Sequence, residues 1–172
     1  IGETSPAFQV KLLRVLQEGE FRPLGSSRSV DVDVRVIAAT NKDLEEEVRA
    51  GRFREDLYYR LATIPLHVPP LRERPMDIPL LAERLLESAS RALGRPLEGF
   101  SAEALACLAA YRWPGNVREL QNEILRMVAL SDGPRLGAEL LSPRVLRAPV
   151  GETQAAELAW LDPAFVAAAA AL

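Results

Sequence analysis

The hydrophobic pattern of this chain changes once along its length, and the change limits the folds open to it. Up to about residue 70, segments with helical spacing alternate with segments rich in β-branched residues, whereas residues 77–133 keep a helical period throughout. The first pattern is typical of an α/β sheet and the second of a small helical bundle. We therefore predict an α/β part over 1–70, an all-helical part over 71–147 and a linker or tail over 148–172.

The first segment carries clear helix signals. Ser5 is a predicted N-cap, Pro6 stands at the first helical position, and an apolar stripe that includes Phe8 continues to a stop at Gly19. In residues 20–33 the period changes to an alternation that is interrupted by a Gly-Ser-Ser turn. This second segment predicts a small hairpin or protruding loop.

A continuous apolar run follows this hairpin. Residues 34–39 end in Val36-Ile37-Ala38-Ala39, which predicts a strand buried on both faces of a parallel sheet. Asn41 comes just after the carboxyl end of that strand, where open α/β sheets bind ligands, so its side chain is a candidate for orienting water or contacting phosphate. An asparagine that only closes the strand-to-helix turn fits the pattern as well. Residues 44–50 predict a short helix and residues 65–68 a short strand.

Residues 54–61 predict a second short helix, which is dense in arginine. Arg52 and Arg60 stand four residues on either side of Asp56, so exposed ion pairs account for both. Arg54 has no such explanation. Arg54 and Arg60 are six residues apart and point roughly 120° apart on a helix, which favours separate roles, one reaching a nucleotide on a neighbouring subunit and the other bracing the interface.

In the helical part, polar residues precede each of the three predicted helices. The predicted N-caps are Asp77, Ser101 and Asn116. Glu119 stands three residues after Asn116 and predicts a capping box. Arg118 then lies in the first turn, where a cation opposes the helix dipole by roughly 0.3 to 1 kcal/mol and a docked anion would gain. The position favours an anionic ligand, and a solvated arginine whose stem covers Trp113 is the equal alternative.

Composition excludes several classes of function. The 172 residues are 48% apolar and 26% charged with a net charge of -3, so nothing in the overall charge favours nucleic-acid binding. Cys107 is the single cysteine and cannot form an internal disulfide, which is compatible with a reducing cytoplasm. The longest apolar run is too short for a membrane span. His67 is the single histidine, so we expect neither a metal site nor a catalytic triad.

The chain contains no phosphate-binding loop. No G-x-x-x-x-G-K-[ST] motif occurs in the 172 residues, and no apolar strand ends in the Asp-Glu pair that would hold magnesium. The arginines suited to phosphate therefore have no loop beside them in the sequence. We expect these residues alone to bind no nucleotide tightly and to hydrolyse no ATP.

Five motifs, taken in order and spacing, resemble the central ATPase domain of bacterial enhancer-binding proteins, the AAA+ activators of sigma-54 RNA polymerase typified by the NtrC family. They are SPAFQVKLLRVLQEGEF (5–21), VRVIAATN (34–41), FREDLYYRL (53–61), PPLRER (69–74) and WPGNVREL (113–120). The resemblance runs from residue 1 to about residue 133. It implies an α/β fold: the C-terminal portion of an AAA+ P-loop NTPase parallel sheet followed by a helical lid.

The resemblance also implies roles for four side chains. Asn41 would be the sensor I residue, Arg54 and Arg60 the arginine-finger candidates that act on ATP in the adjacent protomer, and Arg118 the sensor II residue of the lid. The hairpin over 20–33 would correspond to the second surface loop near the pore. In the family, Ile1-Gly2-Glu3 directly follows the Walker B acids, so the chain is expected to begin just after them. A Fis-type helix-turn-helix is expected after the tail.

For the parent protein, the resemblance implies ATP and Mg²⁺ as cofactors and the sigma-54 RNA polymerase holoenzyme as partner. It also implies self-assembly into a ring, expected to be a hexamer, and a location in the bacterial cytoplasm. DNA would be contacted only through a domain outside these residues. The alternative function is a non-catalytic module that supplies the lid and the interface arginines to an AAA+ assembly. Direct DNA binding by the helix at Asn116 is disfavoured because that helix has no basic stripe.

Overall fold

The computed structural model of the protein describes residues 1–23, 25–26 and 28–147. The chain divides into two compact units, one spanning Ile1–His67 and the other beginning at Val68. Each unit has a hydrophobic core of its own. The predicted linker or tail over 148–172 lies outside the described residues.

Helices dominate both units, and the strands are short pairs. The helices are α1 (Pro6–Glu18), α2 (Leu44–Arg49), α3 (Glu55–Leu61), α4 (Asp77–Leu93), α5 (Ala102–Ala110), α6 (Asn116–Leu130) and α7 (Pro143–Leu146). The strands are β1 (Glu20–Phe21), β2 (Val30–Asp31), β3 (Gly99–Phe100) and β4 (Arg135–Leu136). Single 3-10 turns are formed by Leu71–Glu73 and Ala138–Leu140.

In the first unit, α1 and α2 pack against α3 around the buried side chains of Leu13, Phe53 and Leu57. The predicted ends of α1 are confirmed. The Ser5 hydroxyl accepts a hydrogen bond from the Phe8 N–H at 3.3 Å, and Gly19 ends the helix in the left-handed conformation with φ 68°. Gly19 can adopt that conformation without the strain a Cβ would add.

The predicted hairpin is also confirmed. Strands β1 and β2 pair antiparallel, with Glu20 opposite Asp31 and Phe21 opposite Val30. The Val32 N–H donates to the carbonyl of Gly19 at 2.6 Å, so the hairpin starts directly at the end of α1.

The two other strands predicted in this part are wrong for the described structure. Residues 34–39 and 65–68 are irregular and exposed, with Ile37 87% and Leu66 85% exposed. A β-branched segment becomes a strand only when a neighbour completes its ladder of hydrogen bonds. Within the described residues no segment pairs with either run.

The second unit is the predicted helical bundle. Helices α4, α5 and α6 pack around Trp113, which is fully buried, and around the aliphatic side chains of Leu108, Leu120 and Ile124. Cys107 is buried in this core, and burial raises the pKa of its thiol. A two-residue parallel ladder between β3 and β4 was not predicted, since two residues are too few to show a period.

Of the three N-caps predicted in this unit, that of α5 is confirmed, whereas those of α4 and α6 are wrong. The Ser101 hydroxyl accepts a hydrogen bond from the Ala104 N–H at 3.1 Å, which confirms the predicted cap of α5. Asp77 is the first residue of α4 and does not cap it. Its carboxylate lies 3.6 Å from the guanidinium of Arg74, because the turn before the helix brings that arginine to the same side.

Candidate functional site

Arg54 immediately precedes α3, and its side chain is exposed. Its guanidinium donates two hydrogen bonds to the Asp56 carboxylate, Nε to Oδ1 at 3.0 Å and Nη2 to Oδ2 at 2.6 Å. This contact lowers the pKa of Asp56 and raises the pKa of Arg54. The pair lies in water and adds little stability, so Arg54 can exchange Asp56 for another anion at low cost.

Arg60 lies in the last turn of α3 and is held differently. Its Nε and Nη2 donate to the main-chain carbonyl of Leu16 at 3.2 and 2.9 Å. Arg54 and Arg60 thus have separate partners at opposite ends of the same helix. The structure does not bring their two guanidinium groups onto one shared partner.

The ion pairs predicted from four-residue spacing are wrong. Arg52 pairs with Glu47, Nη2 to Oε1 at 2.7 Å, and this contact lowers the pKa of the glutamate. Helix α3 begins only at Glu55, so Arg52 lies outside it and the helical spacing to Asp56 does not apply.

Asn41 lies at the end of the irregular segment, just before α2, and is exposed. The turn there is closed by its neighbours: the Thr40 hydroxyl accepts from the Lys42 N–H at 3.1 Å, and Asp43 Oδ1 accepts from the N–H groups of Glu45 and Glu46. In the described part of the chain, the Asn41 side chain makes no hydrogen bond. The turn-closing alternative therefore falls to Thr40 and Asp43, and the Asn41 amide is available to a ligand.

The capping box predicted at α6 is wrong in detail. Gly115 is the N-cap, and its N–H donates to Glu119 Oε2 at 2.8 Å. Asn116 has φ 51°, and its side-chain oxygen accepts from the Leu71 N–H at 2.8 Å. The left-handed backbone at Asn116 turns this oxygen away from the amides of its own helix and toward the preceding 3-10 turn. The Asn116 side chain thus links α6 to the 3-10 turn at Leu71–Glu73, and among the described residues no side chain caps the N-terminus of α6.

Arg118 lies in the first turn of α6 and is exposed. Among the residues that the structure describes, its side chain has neither an ion pair nor a hydrogen bond. Its neighbour Glu119 is engaged by Arg144 at 3.3 Å. A cation without a partner at the positive end of a helix is a favourable position for an anion. Arg118 belongs to the second unit, whereas Asn41, Arg54 and Arg60 belong to the first.

Sequence reasoning missed one residue of this region, Gln9 of α1. The predicted apolar stripe places Phe8 in the core, but Phe8 is 48% exposed and Gln9 is 1% exposed. Gln9 bonds the backbone at both Arg52 and Arg54. A signal was present in the sequence, since Gln9 stands four residues before Leu13 on the buried face of the helix.

The described residues offer neither a metal-binding cluster nor a membrane-spanning helix. No cluster of three or more His, Cys, Asp or Glu side chains there could hold a metal ion. None of the described helices has the length and apolar character needed to cross a membrane.

Two protein-family models match the chain. The sigma-54 interaction domain matches residues 1–67, and the AAA+ ATPase lid domain matches residues 72–158. The first match spans the first compact unit, and the second match lies within the second unit.

Named regulators of transcription are similar to the chain over most of its length. The hydrogenase transcriptional regulatory protein HoxA of Bradyrhizobium diazoefficiens is 64% identical over 84% of the chain and 30% of its own length. The Nif-specific regulatory protein of Azotobacter vinelandii is 54% identical over 83% of the chain and 27% of its own length. The chain therefore spans about a third of the length of the curated relatives it matches.

Solved structures agree with these matches. Crystal structures of NtrX from Brucella abortus in complex with ADP and with ATP share 37% identity with the chain, with a TM-score of 0.73 over 84% of it. The matched region covers 34% of the NtrX chain in the ADP complex and 35% in the ATP complex. The similarity confirms the predicted fold class, an AAA+ portion followed by a helical lid. The chain thus belongs to the AAA+ family of sigma-54-dependent transcriptional activators.

Proposed function

We propose that this chain is part of an ATP-driven motor that remodels the sigma-54 RNA polymerase holoenzyme at promoters. The family matches support the motor and the lid, and the names of the relatives support a role in transcription. We assign residues 1–70 to the motor, 71–147 to the lid and 148–172 to a linker or tail.

Four side chains carry the proposed chemistry. Arg54 and Arg60 are the arginine fingers, which neutralise the charge that develops on the triphosphate of the adjacent subunit. Asn41 is sensor I and orients the attacking water. Arg118 is sensor II and binds nucleotide from the lid. All four are exposed, so each can reach a ligand that lies outside its own unit.

The observation that carries the proposal is the arrangement of the two arginines on α3. Both guanidinium groups lie at the surface, and each is held by one exchangeable partner: a solvated carboxylate for Arg54 and a main-chain carbonyl for Arg60. An arginine that acts on a neighbouring subunit needs this combination of exposure and weak retention.

The motor would work as a ring of identical subunits, expected to be a hexamer, with ATP and Mg²⁺ between them. The two NtrX structures are complexes with ADP and with ATP, which supports nucleotide binding in the family. DNA contact would belong to a separate domain, and we place the protein in the bacterial cytoplasm. The phosphate loop and the Walker B acids must come from sequence outside these 172 residues.

The test uses a full-length polypeptide that carries both a phosphate loop and this segment. Arg54→Ala and Arg60→Ala are each expected to lower ATP turnover by about 10³-fold or more while sparing nucleotide binding. Arg49→Ala is the matched control, an exposed arginine of α2 with no ion pair among the described residues. Each variant is also mixed with subunits that lack a functional phosphate loop. Turnover that appears only in the mixture would show that the arginine acts in the neighbouring site. If nucleotide binding is lost instead, the arginines act in their own subunit.

A non-catalytic lid and interface module is the second candidate. The full sequence of the polypeptide that carries this segment distinguishes the two candidates. A phosphate loop in that sequence supports the motor, and a full sequence without one would leave only the non-catalytic module.

A further inference from the structure

We propose that Gln9 is a positioning residue for Arg54: its side-chain amide fixes the backbone from which the arginine extends. The inference rests on the role of Arg54 proposed above. Gln9 lies in the first turn of α1, 45 residues before Arg54 in the sequence. The family resemblance assigns Gln9 no role. Its burial distinguishes it from the exposed polar residues of α1.

All of the polar atoms of the Gln9 side chain are used. Its Nε2 donates to the carbonyls of Thr4 at 3.0 Å and Arg52 at 3.2 Å, and its Oε1 accepts from the Arg54 N–H at 3.0 Å. The side chain is 1% exposed, so water does not compete for these bonds. A neutral amide fits this site because it supplies two donors and an acceptor together.

The contacts of Gln9 to the backbone of Arg52 and Arg54 lie on either side of Phe53. That ring is 3% exposed and packs with Leu13 and Leu57 in the core of the first unit. The amide of Gln9 holds the main chain just before and just after this buried ring. The segment over 52–54 is therefore anchored by an apolar contact at Phe53 and by hydrogen bonds to the backbone of the residues before and after it.

The anchoring matters because of where Arg54 lies. It is the N-cap residue of α3, with φ -74° and ψ 133°, and its side chain makes no cap hydrogen bond. Its N–H points outside the helix and has Gln9 as its partner. Losing that partner leaves a partly buried donor unsatisfied and the Arg54 backbone free to shift. A displacement of about 1 Å in a catalytic group can cost on the order of a hundredfold in rate.

Helix α1 supplies matched controls. Gln17 has the same side chain on the same helix, but it is exposed and makes no hydrogen bond in the described structure. Leu13 lies one turn after Gln9 and is buried, so Leu13→Ala weakens the packing of α1 without removing a contact to Arg54.

The experiment measures ATP turnover, nucleotide affinity and hydrogen exchange at the Arg54 amide in a full-length polypeptide that carries a phosphate loop. For Gln9→Leu we expect kcat to fall by about tenfold or more with KM nearly unchanged, and the Arg54 amide to exchange faster. Gln17→Leu should match the parent in every measurement. Leu13→Ala should lower the melting temperature while kcat, measured well below it, stays near the parent value.

Two outcomes overturn the proposal: a parental kcat in Gln9→Leu, or a fall in kcat that Leu13→Ala reproduces at equal loss of stability. Should Gln9→Leu fail to fold, Gln9→Met decides the question. It keeps the length of the side chain but loses both donors and the acceptor for the Arg54 N–H, and a parental kcat in that variant overturns the proposal too. Arg54→Ala is measured in parallel. If Arg54→Ala retains turnover, the proposed function of Arg54 fails, whereas turnover lost only in Arg54→Ala defeats the positioning role alone.

Discussion

The guanidinium of Arg60 closes the end of α1 by donating two hydrogen bonds to the Leu16 carbonyl, at 3.2 and 2.9 Å. Leu16 is among the last four residues of α1, whose carbonyls lack partners within the helix, and a cation there meets the negative end of the helix dipole. The hairpin starts three residues later, at Gly19. If Arg60 contacts a phosphate as proposed, it must release the Leu16 carbonyl, and this would couple ligand binding at α3 to the start of the hairpin.

Replacing Arg60 therefore loosens the junction between α1 and the hairpin. We expect Arg60→Ala to speed hydrogen exchange at the amides of Gly19 and Glu20, with a loss of about 0.3 to 1 kcal/mol in local stability. Exchange measured by NMR on the 172-residue chain checks this. Arg49→Ala is the control, and equal exchange in both variants would show that the contact to Leu16 carries no stability.

The pair between Arg54 and Asp56 predicts a pH dependence. Its two hydrogen bonds hold the pKa of Asp56 below the ordinary value of 3.8. Because the folded-state pKa is the lower one, the pair's contribution to stability is present above the ordinary value and is lost as the pH falls below it. An NMR titration of the Asp56 carboxyl should give a low midpoint that rises in Arg54→Ala. Arg49→Ala should leave the midpoint where it is, and an unchanged midpoint in Arg54→Ala would refute the pairing.

Asn116 should be more important for stability than a surface asparagine. Its side chain satisfies the Leu71 N–H at 2.8 Å, and its φ of 51° disfavours residues that have a Cβ and no local hydrogen bond. Asn116→Ala should lower the free energy of unfolding by about 1 to 3 kcal/mol. Urea unfolding measures this against Asn122→Ala, an exposed position on the same helix. Equal effects at the two positions would mean that the Leu71 amide needs no partner.

Glu123 should hold the last described helix against the bundle. Glu123 is 2% exposed, and its Oε1 accepts a hydrogen bond from the Ser142 N–H at 2.5 Å. The same oxygen lies 3.5 Å from Nη1 of Arg126. Glu123→Ala leaves that N–H without its partner and should cost about 1 to 3 kcal/mol. Glu83→Ala, at an exposed position on α4, is the control in the same urea titration. A loss no larger than that of the control would count against this role.

The 172-residue chain should release no phosphate from ATP. Hydrolysis of this class depends on loop amides, a lysine and magnesium, and the sequence contains no phosphate loop to supply the first two. A phosphate-release assay against a buffer blank checks the expectation. Turnover that persists through a second purification would contradict it and would require a nucleotide site that the sequence does not show.

Much of the helical architecture could be predicted because its signals are local. Ser5 and Ser101 cap helices through amides three residues away, and Gly19 and Gly94 end helices through their own left-handed backbone. Such contacts need no knowledge of the rest of the fold. The strand over 34–39 failed as a prediction because its hydrogen bonds need another segment, and propensity alone does not supply one.

The candidate site divides in the same way. Motifs and their order predict Asn41, Arg54, Arg60 and Arg118 as candidates, since each motif is a short stretch of sequence. The long-range partners of the two arginines became visible only in the folded chain: Gln9, which bonds the Arg54 backbone, lies 45 residues from it, and Leu16 lies 44 residues from Arg60. A hydrogen bond between distant residues depends on how two helices pack, and many sequences with the same local pattern pack differently. The choice of candidate residues thus depends on local sequence, whereas the contacts that hold these residues in place are decided by the tertiary structure.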